Sequence, residues 1–85
     1  LESLYARQSA SGKFSIGGAT LTCDKGPVWL CCLPGGGKFV AAYSGSETAS
    51  LRLEVPGDVI EIAAMGTGIV IWNEGKVEIE AISML

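Results

Sequence analysis

The chain has 85 residues, 48% of them hydrophobic, with six Lys and Arg against nine Asp and Glu and a formal net charge of −3. That length supports one modest core, and the acidic balance disfavours a nucleic-acid surface or an anionic membrane as partner. The absence of histidine excludes Ser-His-Asp and Cys-His nucleophile systems and any histidine-based metal site.

The start, Leu1-Glu2-Ser3, lacks a methionine, which suits an excised domain, a processed product or the ordered part of a longer chain. In residues 1–12, Leu1, Leu4 and Tyr5 fall at helical spacing, but the segment is short for a helix and ends in the polar run Gln8-Ser9-Ala10-Ser11-Gly12. The expected role is an N-terminal linker or tether, with the tail of an upstream helical stalk as the sharper alternative.

From Lys13 onward, short segments rich in β-branched and aromatic residues alternate with glycine-bearing turns about every ten residues, the pattern of a sandwich or barrel. Strands are expected at about 13–17, 19–24, 27–33, 38–44, 48–55, 58–65, 68–73 and 76–84. The expected fold is all-β: a small antiparallel, jelly-roll-like sandwich or barrel of about eight short strands, forming one domain over 13–85.

Asp24-Lys25-Gly26 suits a three-residue hairpin, a type I turn closed by a left-handed glycine. With Cys23 opposite Pro27, Leu21 would face Trp29 and Ala19 would face Cys31. Cys23 then lies far from Cys31, and adjacent Cys31 and Cys32 point to opposite strand faces, which disfavours a bond between them. Three cysteines are an odd number without the C-x-x-C spacing of a zinc site. Reduced thiols, no metal, no cofactor and assembly in a reducing cytoplasm are expected. With disulfides and metal set aside, oligomerisation is the remaining aid to stability.

Val28-Trp29-Leu30-Cys31-Cys32-Leu33 is apolar on both faces, so this strand is either covered on both sides by its own chain or lies against another subunit. The run Leu33-Pro34-Gly35-Gly36-Gly37-Lys38 superficially resembles a phosphate-binding loop. It lacks the glycine spacing, the hydroxyl after the lysine and the following helix that the motif requires, so an inter-strand loop is expected.

Pro56-Gly57 reads as a type II turn, which fits a tight hairpin poorly and suggests a corner between sheets. With Val55 facing Asp58, Leu53 meets Ile60, Leu51 meets Ile62 and Arg52 meets Glu61. Asn73-Glu74-Gly75 suits another three-residue hairpin. With Trp72 facing Lys76, Ile71 would meet Val77 and Ile69 would meet Ile79 inside, leaving Val70 opposite Glu78 outside.

On that register the last strand turns from polar to apolar along one face: Lys76, Glu78 and Glu80, then Ile82 and Met84. Val70 and Trp72 share the outward face, and with Trp29 these residues form the expected interface. Trp29, Tyr43 and Trp72 are the candidate rings for sugar stacking. Glu78, Glu80 and Glu61 are the candidate carboxylates for glycoside chemistry, for which charged, solvated strand faces are the plainer reading.

No membrane-spanning stretch or signal peptide is recognisable, so a soluble protein is expected. The functional expectation is a non-enzymatic structural module that self-associates into a homo-oligomer, a trimer among the options, or joins a larger protein assembly, as a virion (phage) decoration or fibre domain does. The alternative is a carbohydrate- or ligand-binding β-sandwich module appended to a larger protein.

Overall fold

The computed structural model describes residues 4–33 and 37–82 and shows a small antiparallel β-sandwich with no helix among the described residues. A five-stranded sheet contains β1 (Leu4–Gln8), β4 (Val28–Cys32), β5 (Lys38–Tyr43), β8 (Thr67–Asn73) and β9 (Lys76–Ile82), side by side in that order. A four-stranded sheet contains β2 (Gly12–Ile16), β3 (Ala19–Cys23), β6 (Thr48–Val55) and β7 (Asp58–Met65), again in that order. Consecutive hairpins β2–β3, β4–β5, β6–β7 and β8–β9 are laid alternately in the two sheets, so each sheet closes over the apolar face of the other.

The segment expected as a tether supplies β1, which pairs with β4 so that Tyr5 is opposite Cys31 and Arg7 opposite Trp29. At Leu4 and Tyr5 the weak helical spacing yields to the backbone ladder that the edge of β4 offers, a case of tertiary pairing overriding local preference; Leu1 lies outside the described residues.

Asp24-Lys25-Gly26 does not close a hairpin. It carries the chain from one sheet to the other, because its polar groups are satisfied by β6 instead of β4. The Asp24 amide donates to the Ser50 carbonyl at 3.3 Å, Asp24 Oδ1 accepts from the Ser50 amide at 2.7 Å, and Lys25 Nζ donates to the Thr48 carbonyl at 2.9 Å. Leu21 therefore lies between Phe14 and Leu53, and Trp29 lies between Arg7 and Ala42.

The β6–β7 register is the expected one, with Leu53 opposite Ile60, Leu51 opposite Ile62 and Arg52 opposite Glu61. The chain does not open into a corner at Pro56-Gly57. A tight hairpin forms there, and Gly57 takes the left-handed φ of 81° that the second turn position demands.

The β8–β9 hairpin departs from expectation by one residue. Its loop is Glu74-Gly75 alone, with φ of 49° and 89°, and Asn73 is opposite Lys76. Two consecutive left-handed residues match the sheet's twist, as in a type I′ turn, and Asn73 joins the strand. Val70 then pairs with Ile79, Trp72 with Val77, and Ile71 with Glu78. A one-residue slip exchanges the faces of a strand.

Inward rows from both sheets form the core. Leu30, Phe39 and Val70 of the five-stranded sheet meet Leu21, Leu51, Leu53 and Ile60 of the four-stranded sheet, all at 8% exposure or less. Tyr43 is 2% exposed and its hydroxyl donates to the Glu47 carbonyl at 3.0 Å, which fixes the crossover from β5 to β6. Among the described residues no polar or charged residue is buried.

Glu74 tests the hairpin register. A non-glycine residue at this φ costs roughly 1 kcal/mol, which Asn relieves. Glu74→Asn should raise stability by about 0.5–1 kcal/mol in urea unfolding. A three-residue turn with Glu74 in a right-handed conformation would show no such gain.

Candidate interaction face

Three central strands of the five-stranded sheet are apolar on both faces. Val28, Leu30 and Cys32 of β4 face the core while Trp29 and Cys31 alternate with them. On β5, Phe39, Ala41 and Tyr43 face inward, leaving Val40 and Ala42, with Lys38 at the start of the strand on the same outer side. On β8, Gly68 and Val70 are buried, leaving Ile69 and Ile71. The alternate residues are half-buried by their neighbours in the sheet, and no second layer of the described chain is packed over them.

Register arranges these side chains in two rows across the outer face. One runs Arg7, Trp29, Ala42, Ile69, Glu80; the other runs Tyr5, Cys31, Val40, Ile71, Glu78. Each row is apolar in its three middle positions. Each ends in a carboxylate on β9 and in Arg7 or Tyr5 on β1. The Arg7 guanidinium carbon stands 5.6 Å from the centre of the Trp29 ring, a cation–π geometry that covers one end of the indole. Tyr5, at 61% exposure, and the exposed Glu78 and Glu80 border the face.

Of the residues expected at an interface, Trp29 alone is seen on this face. Val70 is 1% exposed and points into the sandwich. Trp72 also points inward, its ring 5.7 Å from that of Phe39 and tilted by 42°, with Nε1 enclosed and without a hydrogen-bond partner. The two-residue turn goes with this arrangement, in which Val70 and Trp72 occupy the face that the longer turn would have assigned to Ile69 and Ile71. Ile82 pairs with Thr67 in the backbone register; its side chain, and Met84, lie outside the described residues.

The structure does not bring the expected aromatic platforms together. Tyr43 and Trp72 belong to the inner face and Trp29 to the outer one. The carboxylates are separated as well: Glu61 lies on the outer surface of the four-stranded sheet, 3.8 Å from Arg52, while Glu78 and Glu80 lie on the opposite side of the sandwich. An open depression of about 430 Å³ crosses the outer surface of the four-stranded sheet, lined by Thr22, Asp24, Ser50, Arg52, Glu61 and Ala63 among others. Its one guanidinium is already paired with Glu54 at 3.5 Å and with Glu61.

All three cysteines are free. Cys23 and Cys32 face the core and Cys31 the outer surface, and among the described residues no group of three or more Cys, Asp and Glu could hold a metal ion. The tip of the glycine-rich loop, 34–36, lies outside the described residues. On either side of it the chain forms the β4–β5 hairpin, closed by the Leu33 amide donating to the Lys38 carbonyl at 3.0 Å.

Cys23 carries a pH-dependent share of stability. Burial raises its thiol pKa above the ordinary range; a hydrogen bond with the Gly12 backbone opposes the rise, and the adjacent Asp24 carboxylate adds to it. The unfolded chain thus releases this proton at lower pH than the folded one. The contribution is complete below the ordinary thiol range and is lost as pH rises through it toward the raised value. The stability difference between the native sequence and Cys23→Ala, from urea unfolding at pH 7 and pH 9.5, should narrow at the higher pH. A constant difference would show that the folded thiol titrates like a free one.

Comparisons with protein-family models, with curated proteins and with solved structures find no significant match to this chain.

Proposed function

We propose that this chain is a non-enzymatic structural module that associates with copies of itself, of the kind that decorates or builds a repetitive particle such as a virion or its fibres. The apolar outer face of the five-stranded sheet supports this reading: six side chains from three adjacent strands, bordered by charge, on the side of the sheet that the four-stranded sheet does not cover. An apolar centre with a polar rim is the anatomy of a protein interface. The alternative, a carbohydrate-binding module, draws no comparable support, because of the three candidate rings only Trp29 faces outward and Arg7 stands over it.

Val40 lies at the middle of the face, on the central strand. A charge there would have to be desolvated on association without a partner, whereas in the free chain it projects into water. Sedimentation at low micromolar concentration should show the native sequence as an oligomer and Val40→Lys as a folded monomer. The affinity should fall by about 30-fold or more, as for a central interface residue. A native chain that stays monomeric, or a Val40→Lys variant of unchanged mass, would overturn the reading.

A further inference from the structure

The two rows on the outer face are self-complementary, and from this we infer that the partner is a second copy whose five-stranded sheet packs face to face on the first, about a two-fold axis running along β5. The inference rests on the self-association reading above and specifies its geometry.

A two-fold axis parallel to the strands keeps each residue's height along the strand and reverses the order of strands. The β1 edge of one copy then lies over the β9 edge of the other, β4 lies over β8, and β5 lies over itself. The first row, folded about Ala42, sets Arg7 against Glu80 of the second copy and Trp29 against Ile69, with Ala42 meeting Ala42. The second row, folded about Val40, sets Tyr5 against Glu78, Cys31 against Ile71 and Val40 against Val40.

Along these two rows every position meets a suitable one, and the like-charge contact on the axis is Lys38 against Lys38 at the end of β5, beyond the second row. The guanidinium finds a carboxylate, the phenol finds an acceptor, and the large indole faces an aliphatic side chain. The smallest residue, Ala42, lies on the axis, where backbones approach symmetrically. Two-fold symmetry makes each contact off the axis twice. Aligned sheets pack about 10 Å apart with mean strand directions within about 30° of each other, a separation that Arg7 and Glu80, reaching from both sides at the rim, can span. The other axis that aligns the strands, perpendicular to them, would stack β1 on β1 and β9 on β9 and exchange the two rows, setting Arg7 over Tyr5 and Glu80 over Glu78. Charge decides against it.

Charge exchange tests the arrangement. Within one chain Arg7 and Glu80 are four strands apart, roughly 19 Å at the usual strand spacing, and both are exposed. Any strong coupling between them therefore arises between chains. Arg7→Glu and Glu80→Arg, each checked for an unchanged far-ultraviolet spectrum, should each weaken dimerisation by about tenfold at low salt, since two contacts per dimer turn repulsive. The double variant should return to within about threefold of the native affinity. Losses that simply accumulate in the double variant would overturn the two-fold arrangement. If Val40→Lys still dissociates the assembly in that case, the face remains the interface and only this geometry fails. If Val40→Lys has no effect, the self-association reading fails with it.

Discussion

The structure depends on strands that are apolar on both faces. An antiparallel strand with one face in a core and one in water alternates apolar and polar residues, and β6 does so, with Ala49, Leu51, Leu53 and Val55 buried while Ser50 and Arg52 are exposed. Strands β4, β5 and β8 do not. The four-stranded sheet can cover only one side of them. Its inward rows close the core and leave Trp29, Cys31, Val40, Ala42, Ile69 and Ile71 on the far side. The sandwich is complete as a fold and incomplete as a solvated surface, because apolar area that could be removed from water at about 25 cal/mol per Å² stays in contact with it.

Much of this was legible in the sequence, and the failures have definite causes. The β6–β7 hairpin was readable because Pro56-Gly57 leaves a single sensible register, one that places Leu51 and Leu53 against Ile62 and Ile60 and Arg52 against Glu61. The β8–β9 hairpin was not, because Asn73-Glu74-Gly75 offers two turns. Reading three residues as the loop assumes that Glu74 avoids a left-handed φ; the protein accepts that φ at Glu74 and keeps Asn73 in the strand. Both registers give one aliphatic row and one partly charged row, so the pattern of β8 and β9 cannot choose between them. The choice is made by β5, against which Val70 and Trp72 must pack beside Ala41 and Phe39.

The second failure was non-local. Asp24-Lys25-Gly26 has the composition of a hairpin loop, but Asp24 and Lys25 bond to Ser50 and Thr48, residues 26 and 23 positions away. No local rule finds such partners. The same holds for β1, whose five residues carry little strand signal and gain their conformation from the open edge of β4. What could have been found is the outer face. The run from Val28 to Leu33 already marks β4 as two-sided, and Phe39-Val40-Ala41-Ala42-Tyr43 and Ile69-Val70-Ile71-Trp72 have the same character. Three such strands in one sheet imply a second apolar face whatever the register, though register decides which residues occupy it.

Two surfaces of the sandwich invite contact, and charge separates them. At the open end the four-stranded sheet stops at β7, so the inward residues of β9 are incompletely covered, with Val77 at 41% and Ile79 at 51% exposure. An edge strand with uncovered apolar residues is a site of uncontrolled pairing unless it is blunted. Here Lys76, Glu78 and Glu80 alternate with Val77 and Ile79 along the same strand, so a strand added at this edge would have to accommodate three charged side chains. On the sheet face the same carboxylates form a rim, two strand spacings from the centre, and Arg7 forms the opposite rim. Edge-to-edge growth therefore meets a charged strand, whereas the face-to-face packing proposed above sets Arg7 against Glu80 around an apolar centre. In the arrangement proposed above, the glutamates that charge the β9 edge are also the ones that orient the face.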